Sequence, residues 1–168
     1  MSQIHTQAEA VLNARPEAIY DAIADYKHGH PNIIPPERFS DLLVEEGGYG
    51  EGTIIRFKVK TFGAVLNMYQ RVSEPEPGRV VVEQDIDSPR NAITTFTVIP
   101  MENKQQARVI IATVMNLSPG LTGVVERLLI PRLNQSTYRK EFQLLEAFAQ
   151  KQGTAAPSTA SDASVSRN

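Results

Sequence analysis

Residues 119–150 read PGLTGVVERLLIPRLNQSTYRKEFQLLEAFAQ. Leu121, Val124, Val125, Leu128, Leu129, Leu133, Phe142, Leu145 and Phe148 recur there at helical spacing. One long helix is therefore expected from near Pro119 to near Gln150. Pro131 removes a backbone hydrogen bond and crowds the preceding turn. The apolar pattern resumes beyond it, so a kink and not a break is expected. Ser118 reads as the N-cap, with Pro119 at the first helical position. Everything upstream of this helix, apart from one short segment, has a period of two. A single long helix after an antiparallel run must bury one side against the sheet. The expected fold is α+β, with a curved antiparallel sheet of about seven strands wrapped around the helix. Function is sought in the space between the two.

Working back towards the N-terminus, residues 107–117 and 92–100 read as strands joined by the turn Glu102-Asn103-Lys104-Gln105. Residues 79–87 place Val80, Val82, Gln84 and Ile86 opposite Arg79, Glu83, Asp85 and Asp87. Residues 64–74 place Leu66, Met68, Gln70 and Val72 on one face. In Thr53–Lys60, Ile55, Phe57 and Val59 alternate with Arg56, Lys58 and Lys60. Phe39–Glu46 is a further strand, and Glu74-Pro75-Glu76-Pro77-Gly78 is a strong turn. The chain opens on a strand over residues 3–13, with Thr6, Ala8, Ala10 and Leu12 on one face. A helix starts at Pro16-Glu17 and runs to about residue 26, and a short second helix or turn is expected around Asn32-Ile33-Ile34. Residues 1–150 are expected to form one domain. The Gly/Ala/Ser/Thr-rich stretch 151–168 is expected to be a disordered tail.

The 168 residues suffice for one real core, and 41 % apolar with 21 % charged residues is ordinary for a soluble globular protein. A net charge of -2 supplies no footprint for nucleic acid or an anionic membrane. The absence of cysteine excludes disulfides, thiolate metal sites and a cysteine nucleophile. No stretch approaches a membrane span. Met1-Ser2-Gln3-Ile4-His5 holds no basic region followed by an apolar run. A cytoplasmic location is the expectation.

Leu12-Asn13-Ala14-Arg15-Pro16-Glu17-Ala18-Ile19-Tyr20, Val72-Ser73-Glu74-Pro75-Glu76-Pro77-Gly78-Arg79-Val80 and Ala107-Arg108-Val109 occur in this order. Leu128-Leu129-Ile130-Pro131-Arg132-Leu133 and Tyr138-Arg139-Lys140-Glu141 follow. Over residues 3–150 the chain resembles the START-like (SRPBCC, Bet v 1-like) superfamily with its helix-grip fold, and within it the polyketide cyclase/dehydrase group. The resemblance implies a hydrophobic cavity between sheet and helix. It leaves the activity open, because that group spans carriers, quinone-binding proteins and aromatase/cyclases, and function lives in the site.

The face assigned to the cavity holds Phe57, Met68, Gln70, Val82, Gln84, Thr94, Phe96, Thr113 and Met115, joined by Leu121, Val125 and Leu128 from the helix. Apolar walls with sparse neutral hydrogen-bonding groups suit a small hydrophobic ligand such as a lipid, isoprenoid, quinone or polyketide-like aromatic. A filled core has nearly the same composition. Ile33 and Ile34 are expected at the mouth. This face holds no carboxylate, histidine or lysine, so binding is favoured over acid–base catalysis. The alternative is a cyclase/dehydratase-type enzyme, for which a one-residue slip would bring in Tyr69 or Arg56 to polarise a carbonyl. An ionisable side chain inside the cavity would favour that alternative. Arginine at Val82 or Thr113 is expected to abolish uptake. His28 and His30 with Asp25 fall short of a metal-ligand set, and Gly120 and Gly123 form no phosphate fingerprint. No metal or cofactor is expected; the partner is a small hydrophobic molecule.

Overall fold

In a computed structural model of the chain, which describes residues 2–155, seven strands form one antiparallel sheet in the order β1-β7-β6-β5-β4-β3-β2. The strands are β1 (Gln3–Leu12), β2 (Phe39–Glu46), β3 (Ile54–Thr61), β4 (Ala64–Glu76), β5 (Val80–Asp85), β6 (Ile93–Pro100) and β7 (Ala107–Asn116). Helix α1 (Pro16–Ala24) and a 3-10 turn (His30–Asn32) follow β1, and helix α2 (Leu121–Ala155) closes the fold. This is the expected α+β arrangement. Proline at the start of α1 and Glu17 in its first turn suit that helix end. Helix α2 runs through Pro131 and continues past Gln150, into the stretch expected to be a tail. Residues 156–168 lie outside the described residues.

The core lies between α1, the C-terminal half of α2 and the concave face of the sheet. Ile19 and Ile23 from α1, Val72, Val98 and Val109 from the sheet and Leu145 from α2 are all essentially inaccessible to solvent. Strands β3, β4, β6 and β7 present the expected faces inward. Strand β5 does not. Val81, Glu83 and Asp85 are buried, whereas Gln84 is exposed and Val82 only half-buried. Gln70 pairs with Asp85 and Val72 with Glu83, so these four side chains share the concave face. A register shift between Ser73 and Glu76, where β4 turns into β5, accompanies this phase.

The N-terminal part of α2 also departs from expectation. Leu121, Val125 and Leu128 point to solvent, with Leu121 84 % exposed and Leu128 60 %. Side chains advance by about 100° per residue, so Leu128 stands on the far side from Glu126 and Ile130. Glu126, Ile130, Asn134, Thr137 and Glu141 are the buried row. The helix starts at Leu121, and the Ser118 hydroxyl donates to the Glu126 carboxylate (2.9 Å) instead of capping a helix amide.

Candidate functional site

A cavity of about 180 Å³ lies between the sheet, the segment after the 3-10 turn and the inward row of α2. Phe57, Met68, Gln70, Thr94, Phe96, Thr113 and Met115 line it, as does Ile34. Ile33 is sealed in the core instead. Val82, Gln84, Leu121, Val125 and Leu128 do not line it, for the phase reasons above. Tyr69 and Arg56 are on the convex face: Arg56 stacks over the Tyr69 ring at 4.2 Å and pairs with Glu45, away from the cavity. From there neither can reach a molecule inside the cavity, contrary to the alternative expectation that they polarise a carbonyl there.

The sequence reading left this face without titratable groups, yet the walls include His30, Arg38, Glu83, Arg90, Glu126 and Glu141. Gly29 brings the chain against α1; a Cβ there would lie 2.7 Å from the Ala22 carbonyl oxygen. That approach lets Nδ1 of His30 reach the Ile23 carbonyl at 2.8 Å. The ring stacks on Tyr26 (4.4 Å between centroids) and turns Nε2 towards Oε1 of Glu83 at 3.4 Å. The Tyr26 hydroxyl donates to the same Glu83 oxygen at 2.7 Å. Burial, and then the Glu83 charge, push the Tyr26 phenol up, so it remains a donor.

Asp85 is satisfied by the Gln70 amide (2.9 Å) and the Ala92 N–H (2.9 Å). This fixes the Gln70 amide and leaves its Oε1 buried without a partner. Arg38 likewise has Nε and one terminal nitrogen buried and unpartnered. Glu141 is sealed in the interior; burial, and then the neighbouring Glu83, push its carboxyl from 4.5 up to about 8, against the pull of Arg38. Glu126 goes the other way. Burial would raise it, but the Ser118 amide and the Arg90 guanidinium (2.6 Å) outweigh burial and hold it below its usual value.

A chain of hydroxyls crosses the wall between β1, β7 and β6. Asn134 donates to Thr6 (2.9 Å), Thr6 meets the Tyr138 hydroxyl (3.1 Å), and Tyr138 donates to Thr113 (2.6 Å). Thr113 in turn lies 3.0 Å from Thr94. Because Tyr138 spends its proton on Thr113, Thr6 donates to Tyr138. Thr94, at the end of this chain, lines the cavity.

Chemically, the site pairs apolar walls with an unmatched acceptor (Gln70), unmatched donors (Arg38) and a neutral carboxylic acid (Glu141). His28 is remote from this group: it is exposed and pairs with Asp25 at 3.3 Å. The inward Glu83 and Asp85 escaped the sequence reading because Val80, Val81 and Val82 carry no phase and neutral Gln84 is the cheaper residue to bury. Glu141 and Glu126 were overlooked because α2 turns polar residues inward here.

No family model matches the chain, and no curated protein sequence matches it. Among solved structures it is similar to the KanY protein (ms6282), with 25% identity and a TM-score of 0.75 over 89% of this chain and 99% of that one. It is similar to the Zhui aromatase/cyclase from Streptomyces sp. R1128, with 15% identity and a TM-score of 0.75 over 92% and 98%. It is also similar to a START superfamily protein from Mycobacterium smegmatis, with 12% identity and a TM-score of 0.69 over 88% and 98%. No helix among the described residues is long and apolar enough to cross a membrane. The chain has the helix-grip α+β fold of these structures.

Proposed function

We propose that the chain binds a small, mainly apolar molecule carrying oxygen groups in the cavity between sheet and α2. The observation that carries this reading is the set of unmatched polar atoms on a largely apolar wall: Gln70 Oε1, Arg38 Nε and an Arg38 terminal nitrogen. A buried polar atom left unpaired costs about 1–3 kcal/mol. A ligand that pairs with these atoms recovers that free energy, and its body buries apolar surface at about 25 cal/mol per Å² before ordering costs. An engineered apolar cavity of about 150 Å³ takes up benzene, so 180 Å³ suits a compact ring system or part of a longer molecule. The test is native mass spectrometry of the chain purified from its own host, with extraction of any retained compound. An oxygenated apolar compound is expected on the wild type and absent from Met68→Trp, which puts an indole into the cavity. A wild type that carries no compound and takes up no hydrophobic probe would sink the reading.

Glu141 favours a second, stronger reading, in which the chain acts on that molecule as a cyclase/dehydratase-type enzyme. A carboxyl with its pKa near 8 can donate a proton at neutral pH, and the His30–Glu83 pair can accept one. The Zhui aromatase/cyclase, similar in fold, keeps such a reaction in view. The retained compound supplies the substrate for the assay: Glu141→Gln should abolish turnover while the compound still binds. Unchanged turnover would remove Glu141 as the acid, and no turnover in the wild type would leave binding alone.

A further inference from the structure

Arg38 lines two neighbouring spaces. An outer vestibule of about 460 Å³ shares Arg38, Leu133 and Thr137 with the walls of the cavity. Its ionisable lining is Arg38, Lys60, Arg139 and Lys140, with Glu37 as the one acid. Basic charge is thus gathered at one place on a chain whose net charge is -2. The Arg38 backbone is pinned there: its N–H donates to the Pro35 carbonyl (3.0 Å) and its carbonyl accepts from the Lys60 N–H (2.8 Å). Its guanidinium has two buried, unpartnered nitrogens, and among the described residues no ion pair engages it. The one carboxyl facing it from α2, Glu141, is held largely neutral at pH 7 and does not cancel the charge.

A guanidinium presents a planar fork that matches carboxylate or phosphate oxygens, and its hydrogen bonds to an anion are of the strong, charge-assisted kind. We infer that the ligand of this cavity is an anionic amphiphile, with its apolar body in the cavity and one carboxylate or phosphate head against Arg38. Lys60, Arg139 and Lys140 draw that head in through the vestibule. The inference rests on the binding reading above and narrows its ligand class.

The test is titration calorimetry on the full chain with three probes that share one apolar body: 2-naphthoate, 2-naphthyl phosphate and neutral 2-naphthylmethanol. At least one anion should bind roughly tenfold more tightly than the alcohol, the worth of one charge-assisted hydrogen bond. The anion that binds more tightly identifies the head group. Arg38→Gln should erase the preference, costing the anion far more affinity than the alcohol; both backbone bonds of Arg38 survive that change. Lys140→Gln, at an exposed position, should reduce the preference by a smaller factor, as should added salt. Equal affinities in the wild type, or a preference that survives Arg38→Gln, would overturn the anionic head and leave the cavity reading standing. Failure of all three probes would overturn both.

Discussion

Nε2 of His30 lies 3.4 Å from Oε1 of Glu83, while Nδ1 of the same ring lies 2.8 Å from the carbonyl oxygen of Ile23. A carbonyl only accepts, so Nδ1 carries a proton in every state of the ring. The neutral ring therefore has its lone pair on Nε2, facing Glu83 and the cavity. Nitrogen-15 NMR of the histidines should find the Nδ1–H tautomer for neutral His30. A neutral ring protonated at Nε2 would contradict this arrangement and remove His30 as a proton acceptor towards the cavity. Gly29→Ala should produce such a disturbance, because the added carbon meets the Ala22 carbonyl and drives the ring away from Ile23.

The phase of β5 makes a prediction opposite to the one its composition suggests. Val81 is fully buried against Phe96, and Val82 lies on the convex face. Val81→Arg should unfold the protein or lower its stability by several kcal/mol, since it buries an unpaired charge. Val82→Arg should shift stability by only about 0.5 kcal/mol and leave probe uptake intact. Denaturant titration of the two variants decides it. Loss of uptake in Val82→Arg with Val81→Arg unaffected would reverse the strand.

This contrast marks where sequence stops determining structure. In β3 and β4 the alternation Ile55-Arg56-Phe57-Lys58 and Leu66-Asn67-Met68 permits one orientation, and Phe57, Met68 and Gln70 line the cavity as their spacing implies. In β5, three consecutive valines fix no phase, and the two carboxylates are buried only because distant groups satisfy them. Tyr26 and His30 reach Glu83, and Gln70 with the Ala92 amide reach Asp85. Apart from Ala92, seven residues on from Asp85, those partners are remote in sequence, so no local pattern announces them. Helix α2 reverses the usual rule. Leu121, Val124, Val125 and Leu128 form a periodic apolar stripe that faces solvent, while Glu126, Asn134 and Glu141 turn inward. The length of the helix was legible; the side that faces the cavity was not, because the cavity itself is polar along that side.

Tyr138 ties this inward side to the sheet. Its hydroxyl bridges Thr6 and Thr113, and through Thr113 it orients Thr94. Tyr138→Phe leaves both threonines short of a partner while keeping the ring packed. Stability should fall by about 1–3 kcal/mol. Uptake of a probe that hydrogen-bonds to Thr94 should weaken more than that of a purely apolar probe. Equal weakening of the two would mean that the chain of hydroxyls supports the fold and does not orient Thr94 towards the cavity.

Glu141 gives the protein a distinctive pH dependence. Burial, then Glu83, raise its carboxyl from 4.5 to about 8 in the folded state. An unfolded chain releases this proton near 4.5, whereas the folded chain keeps it to about 8. Between those values the folded state holds the extra proton, so raising the pH removes stability. The contribution is most favourable below about pH 4.5, declines across the window, and is flat above about 8. The slope from this one group approaches 1.4 kcal/mol per pH unit in the middle of the window. Glu141→Gln keeps the shape, removes the proton and should flatten this part of the profile, becoming relatively more stable than the wild type as pH rises from 5 to 8. Urea unfolding of both proteins across that range measures the difference directly. Parallel profiles would mean that Glu141 is ionised in the folded state, and would remove the neutral acid on which proton donation in this cavity depends.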